Sequence, residues 1–229
     1  MISLDQHDSL CEKNQMKSGE GIESLFPDFP IFCSEADFQF SLAWRIKELY
    51  PEVDVKLEYR PWDYDKRVRI DIVILKDNKM IPIELKYKTK RYDEEYKGEK
   101  IELKNQSAHD SARYDFIRDI KKLEDIIKCD KYQIEEAYAI FLTNDPLYWN
   151  PVNNTDALDS QFRIHEGVQI NGKRAWKEGA SKGTIKGREK KLEVEGTYDI
   201  KWHTYLELSS TTFKYTVVKI DPRGLTKNG

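Results

Sequence analysis

Apolar positions recur with a helical period in two parts of this chain. Between Ser34 and Pro51 they return every three to four residues, which predicts a helix with one apolar stripe. Ser34 is a good N-cap, Asp37 stands in capping-box position, and Pro51 would stop the helix. A similar stripe predicts a second helix over about 107–128.

Other segments alternate with period two or form short apolar runs rich in β-branched and aromatic residues, which predicts strands. The turn at 76–79 would join two of them as a tight hairpin. Residues 88–106 are charged and tyrosine-rich and are interpreted as a long loop, while about 150–190 is glycine-rich and basic. The predicted strands cover roughly 53–59, 67–75, 80–87, 137–142, 192–208 and 213–220.

The order helix, three strands, helix, strand predicts an α/β protein with a mixed central sheet and an elaborated, β-rich C-terminal part. We expect residues 1–25, which are polar and without periodicity, to form a flexible N-terminal arm. Residues 26–149 would form the core. Residues 150–229 would supply a basic loop and C-terminal strands that pack on the same domain.

Composition narrows the class of protein. Apolar residues make up 39% and charged residues 34% of the chain, and no run of about 18 apolar residues occurs, so we expect no membrane span. Three widely separated cysteines and the absence of a secretory leader pattern favour reduced thiols in a cytoplasmic protein. The net charge of −3 is not typical of a protein that coats nucleic acid, but basic residues are concentrated between Gly172 and Lys191.

The predicted hairpin brings two acids together. With Lys76 opposite Lys79, Asp71 falls opposite Glu84, and paired residues point to the same face of a sheet. Lys86 lies two residues beyond Glu84 and therefore shares that face. The pairing depends on the register, since a shift of one residue would separate the two carboxylates.

Two facing carboxylates repel unless a cation neutralises them, and oxygen ligands suit Mg²⁺, with Mn²⁺ as a substitute, better than zinc. Such a site could hydrolyse a phosphodiester, with Asp71 and Glu84 as metal ligands and Lys86 orienting or helping to deprotonate water. An acid in a strand is also common as a solvated residue, and the motif Glu-Leu-Lys by itself indicates little.

The motif resembles that of the PD-(D/E)XK nuclease superfamily. That family has an acid on the second strand, here Asp71 after Arg69-Ile70, and Glu/Asp-x-Lys on the third, here Glu84-Leu85-Lys86. Ile70 stands where the family usually has proline. The resemblance covers about 34–143 and implies a restriction endonuclease-like core and 5′-phosphate products.

The resemblance also implies an outer metal ligand from the first helix, and our candidate is Glu35, with Glu48 as the alternative. An acid in a first helical turn also complements the helix dipole, so this position has a structural explanation as well. Residues expected to contact nucleic acid are Lys88, Gln106, Arg113, Lys173, Arg174, Lys182 and Lys186. A solvated helix face or a solvated basic loop is the alternative for these residues.

The function predicted on these grounds is that of a Mg²⁺-dependent DNA endonuclease of a restriction, DNA-defence or processing type, acting as a homodimer. Two alternatives remain open. One is a catalytically silent, nuclease-like nucleic-acid-binding module, and the other is a nuclease acting on RNA or on branched or single-stranded DNA.

Overall fold

The computed structural model describes residues 31–61, 67–129, 132–152, 154 and 156–225. The predicted arm at 1–25 lies outside these ranges. The helices are α1 (Glu35–Leu49), α2 (His109–Ile127) and the short α3 (Lys182–Ile185). The strands are β1 (Asp54–Tyr59), β2 (Ile70–Lys76), β3 (Lys79–Lys88), β4 (Tyr92–Tyr96), β5 (Glu99–Leu103), β6 (Ala137–Thr143), β7 (Gln169–Arg174), β8 (Leu192–Asp199), β9 (His203–Glu207) and β10 (Thr212–Ile220).

Within the described ranges, six strands form a mixed central sheet in the order β1-β2-β3-β6-β10-β9. Only β3 and β6 run parallel to each other; the other neighbouring pairs are antiparallel. One face packs against α1 and the other against α2. Every residue of β6 is buried, as expected for a strand covered on both faces. The α/β class and the mixed central sheet are thus confirmed.

Both long helices form where the apolar stripes predict them. Ser34 caps α1 with its side-chain oxygen, which accepts a hydrogen bond from the backbone N–H of Asp37 at 3.1 Å. The Asp37 carboxylate in turn accepts from the N–H of Cys33. The N-terminal signal read from the sequence is therefore the one that the fold uses.

The predicted hairpin has the predicted register. Asp77 and Asn78 both adopt positive φ, 48° and 65°, which a tight two-residue hairpin turn requires. Pairing runs from Lys76 opposite Lys79 to Ile72 opposite Ile83. Asp71 and Glu84 would form the next rung, just beyond the end of the ladder.

Three segments differ from their predictions. Residues 88–106 are not a long loop: β4 and β5 form a hairpin there, turning at Lys97 and Gly98 with positive φ. The predicted strand over 192–208 is two strands, β8 and β9, which belong to different sheets. The glycine-rich segment contains β7, which pairs with β8. Local composition predicted loops at 88–106 and in the glycine-rich segment because charged residues can also form the exposed face of a two-stranded ribbon.

Candidate active site

The site lies where β3 continues beyond the end of its ladder with β2. Alternate backbone N–H groups on that side, two in β3 and one in Thr89 directly after it, have no strand partner there, and side-chain oxygens accept their hydrogen bonds instead. The first acceptor comes from β2, the second from α1 and the third from the segment before α2. The pairs are Leu85 N–H with Asp71 Oδ2 at 2.7 Å, Tyr87 N–H with Glu35 Oε2 at 2.8 Å, and Thr89 N–H with Gln106 Oε1 at 3.0 Å.

Glu84 is a deeply buried carboxylate on the face of β3 that meets α2. Only 3% of its surface is exposed. Its Oε2 contacts the Nζ of Lys122 on α2, whereas its Oε1 has no hydrogen-bond partner among the described residues. Buried polar atoms are normally satisfied, so an oxygen left free at this position is a feature that functional sites share.

Lys86 lies on the same face of β3 as Glu84 and pairs with Asp119, an acid of α2. Its Nζ lies 3.2 Å from Asp119 Oδ2, and Asp119 Oδ1 lies 3.9 Å from Lys122 Nζ. Lys122 also donates to the carbonyl oxygen of Arg69 at 3.0 Å, immediately before β2. We refer to Asp71, Glu84, Lys86, Asp119 and Lys122 as the acid–lysine cluster.

Burial and mutual repulsion perturb the pKa values of Asp71 and Glu84. Burial is the main reason that the pKa of Asp71 rises from 3.8 to about 6, against the opposing effect of the Leu85 hydrogen bond. Burial and then the charge of Asp119 raise the pKa of Glu84 well above its ordinary range; the charge of Asp71 adds to the shift and Lys122 opposes it. The two carboxylates predicted to face each other are therefore within electrostatic reach.

Lys86 responds in the opposite sense. Burial acts to lower its pKa, but the charges of Asp119 and Glu35, with the hydrogen bond to Asp119, outweigh burial and raise the pKa above its ordinary value. Lys86 is thus a cation at neutral pH. Its charge suits it to orient or neutralise an anion rather than to remove a proton.

Two carboxylates of the cluster could hold a divalent cation. Over the described ranges, no group of three or more His, Cys, Asp or Glu side chains is arranged to hold a metal ion. Mg²⁺ is commonly bound by only one or two carboxylates, with water and substrate oxygens completing its shell. Asp71 and the free Oε1 of Glu84 fit that smaller requirement. The Glu35 carboxylate lies farther along β3, with Lys88 Nζ 3.8 Å from its Oε2.

Asp119 and Lys122 were not among the residues predicted from the sequence. The available signal was an acid on the apolar stripe of α2: Asp119 lies three residues after Phe116 and four before Leu123, both buried. An acid at such a position needs a partner in the interior. Identifying that partner as Lys86 required knowledge of how α2 sits on the sheet.

The residues predicted to contact nucleic acid fall into three groups: two near the end of β3, three exposed lysines, and two arginines with internal partners. Lys88 is half-buried beside Glu35, and Gln106 is exposed but uses its side-chain oxygen to accept from Thr89. The three lysines of the C-terminal part that were predicted to contact nucleic acid are exposed, one on β7 and two in or just after α3. They are Lys173, Lys182 and Lys186.

Arg113 and Arg174 have internal partners. The buried Arg113 guanidinium lies 2.7 Å from Asp159 and donates to the carbonyl oxygen of Leu147 at 2.6 Å. All three nitrogens of the Arg174 guanidinium donate to backbone carbonyl oxygens, at distances of 2.8–3.1 Å. The Arg113 guanidinium is thus buried, and each nitrogen of the half-buried Arg174 guanidinium already has a carbonyl oxygen as its partner.

The basic segment 171–191, which holds four of the residues expected to contact nucleic acid, is packed against the core. Trp176 stacks on Tyr114 with ring centroids 5.7 Å apart, and its indole N–H donates to the Arg188 carbonyl oxygen. The Arg188 guanidinium makes a two-point contact with Asp115 of α2. These contacts place the segment against α2, on the same face of the sheet as the acid–lysine cluster.

Comparison with known proteins gives no match: no protein-family model fits the sequence, and no curated protein or solved structure is significantly similar to it. No helix within the described ranges is long and apolar enough to cross a membrane. Conclusions about function therefore depend on the geometry of the cluster.

Proposed function

We propose that this protein is a Mg²⁺-dependent DNA endonuclease with a restriction endonuclease-like core of the PD-(D/E)XK type. The observation that carries the proposal is the convergence of Asp71 and Glu84 beside Lys86, with one buried oxygen of Glu84 free of any partner among the described residues. The element order α1, β1–β3, α2, β6, with the β4–β5 hairpin inserted between β3 and α2, supports such a core.

Each residue would have a distinct task. Asp71 and Glu84 would hold the cation, which, when bound, supplies Lewis-acid stabilisation of charge on the scissile phosphate. Lys86, kept protonated by Asp119, would donate hydrogen bonds to the attacking water or to the phosphate oxygens. Glu35 would orient the strand through Tyr87 and adjust the charge around Lys86 and Lys88.

DNA would reach the cluster across the α2 face. Exposed Lys173, Lys182 and Lys186 belong to the segment that Trp176 and Arg188 fasten to that helix. Lysines on the approach to a phosphodiester site supply sequence-independent affinity that weakens as salt increases. Cleavage of both strands of a duplex would use a homodimer, with one site for each strand.

The test is cleavage of supercoiled, linear, single-stranded and branched DNA, and of RNA, in Mg²⁺ or Mn²⁺. Lys86→Ala is expected to lower the rate by about a hundredfold or more, the usual effect of removing one transition-state donor. Lys79→Ala is the matched control, because Lys79 lies at the opposite end of β3 and pairs with Glu135. A chelator should abolish cutting by the wild type.

Either of two results would contradict the proposal. Cutting that survives Lys86→Ala would show that another site performs the reaction. Binding without cutting of any substrate would favour the alternative, a nuclease-like nucleic-acid-binding module. One observation supports that alternative: the Glu84–Lys122 and Lys86–Asp119 pairs balance charge within the chain itself.

A further inference from the structure

Lys122 occupies a position that neither the predicted chemistry nor the motif explains. Its ammonium contacts Glu84 Oε2, donates to the carbonyl oxygen of Arg69 and lies 3.9 Å from Asp119 Oδ1. The side chain is 22% exposed, so it can be reached from solvent. Lys122 is thus a second cation in the cluster, anchored from α2 onto a proposed metal ligand.

The two oxygens of Glu84 are therefore unequal. Oε2 is engaged by Lys122, and Oε1 has no partner within the described part of the chain. A divalent cation that approaches Oε1 meets a carboxylate whose charge is already shared with an ammonium a few ångströms away. Two effects oppose its binding: repulsion between the cations and competition for the same carboxylate.

The other lysine of the cluster is arranged differently. Lys86 pairs with Asp119, not with either proposed metal ligand, so it keeps its partner when the cation binds. Lys122, in contrast, would have to share Glu84 with the bound cation. Its contacts with the Arg69 carbonyl oxygen and Asp119 would keep the ammonium close to that cation. Its repulsion of the cation therefore persists in the loaded site.

We propose that Lys122 and the divalent cation compete for Glu84, so that Lys122 sets the cation concentration at which the site loads. This inference rests on the proposed function, because it takes Asp71 and Glu84 as the metal ligands. Lys122 acts as a residue that determines metal affinity and does not itself act on substrate. Tight binding of Mg²⁺ would then require DNA phosphate oxygens to complete the shell and offset the repulsion.

The experiment is calorimetric titration of Mg²⁺ into the purified full chain without DNA. The Lys122→Met variant is expected to bind Mg²⁺ at least about tenfold more tightly than wild type. Even in water, the repulsion energy between a unit charge and a dication ~4 Å apart corresponds to more than about a tenfold loss of binding affinity. Lys122→Arg keeps the charge and should bind like wild type. Lys121→Met is the matched control, because the neighbouring Lys121 pairs with Asp125 and Glu195.

The remaining variants locate the binding and separate this inference from the proposed function. Tighter binding by Lys122→Met that is lost again on adding Glu84→Gln supports the inference. Equal or weaker binding by Lys122→Met, with binding by wild type abolished by Glu84→Gln, overturns it and leaves the metal site standing. Lack of binding by wild type and Lys122→Met alike, with both folded by circular dichroism, overturns the inference and the metal site together.

Discussion

Replacement of Asp71 by asparagine is expected to stabilise the protein at neutral pH while removing a proposed metal ligand. Asp71 is an acid whose pKa is raised in the folded state, from 3.8 to about 6. Its contribution to stability is therefore fully present below 3.8 and is lost as the pH rises through about 6. Asparagine resembles the neutral acid and can still accept from Leu85, so the variant does not lose this contribution.

The size of the effect follows from the shift. A difference of about two pKa units, at about 1.4 kcal/mol for each unit, gives about 3 kcal/mol at pH values above both pKa values. Near pH 4 the difference between variant and wild type should be below about 1 kcal/mol, because Asp71 is then neutral in the folded protein and only about half ionised in the unfolded chain. The gain in free energy of unfolding of Asp71→Asn over wild type should therefore increase as the pH rises.

The assay is urea unfolding of the variant and the wild type in a chelator, at about pH 4 and about pH 8. Asp125→Asn is the control, since Asp125 lies on the exposed side of α2 and pairs with Lys121; it should change stability by less than about 1 kcal/mol at either pH. If Asp71→Asn is no more stable than wild type near pH 8, or gains equally at both pH values, the reasoning about a costly buried carboxylate is refuted.

Two further predictions concern buried charges outside the cluster. Glu124 is fully buried on α2 and accepts hydrogen bonds from the backbone N–H groups of Glu195 and Gly196 and from the Tyr198 hydroxyl. Glu124→Ala should therefore lower the free energy of unfolding, measured by urea titration, by about 3–5 kcal/mol. A loss below about 1 kcal/mol would contradict this prediction. Arg113→Ala should destabilise the fold by about 1–3 kcal/mol, because Asp159 keeps only Arg163 and the Leu147 carbonyl oxygen loses its donor, without changing the salt dependence of binding to uncleavable DNA; a smaller salt slope in the folded variant would show a phosphate contact.

Much of the architecture could be predicted from local patterns. The apolar stripes located α1 and α2, and the Asp77-Asn78 turn fixed the register of β2 with β3 to the residue. That register matters because a change of one residue would turn Glu84 and Lys86 to the other face of the sheet. The last predicted strand, 213–220, also forms, and its Phe213 and Tyr215 are buried in the central sheet.

Predictions for the charged segments were less successful. The hairpin of β4 and β5 contains charged residues at most positions, and its apolar alternation is limited to Ile101 and Leu103, too short a pattern to predict a strand. Arg113 was expected to contact nucleic acid, with a solvated helix face as the alternative, and both interpretations require an exposed side chain. Its burial depends on Asp159, 46 positions away in the sequence, which is a contact that spacing along the helix cannot reveal.

The end of the β2–β3 ladder explains why the cluster forms where it does and why only part of it could be predicted. β3 continues past the end of its pairing with β2, so N–H groups in its last part and just after it have no strand partner on that side. Side-chain oxygens from β2, α1 and the segment before α2 accept hydrogen bonds from these groups. Asp71, Glu84 and Lys86 belong to the hairpin, so their proximity follows from sequence register alone. Asp119 and Lys122 reach the same place from a helix whose rotation and height over the sheet are set by the buried apolar residues of α2. The proposed catalytic residues are thus local in origin, whereas the residues that control their charge depend on tertiary packing.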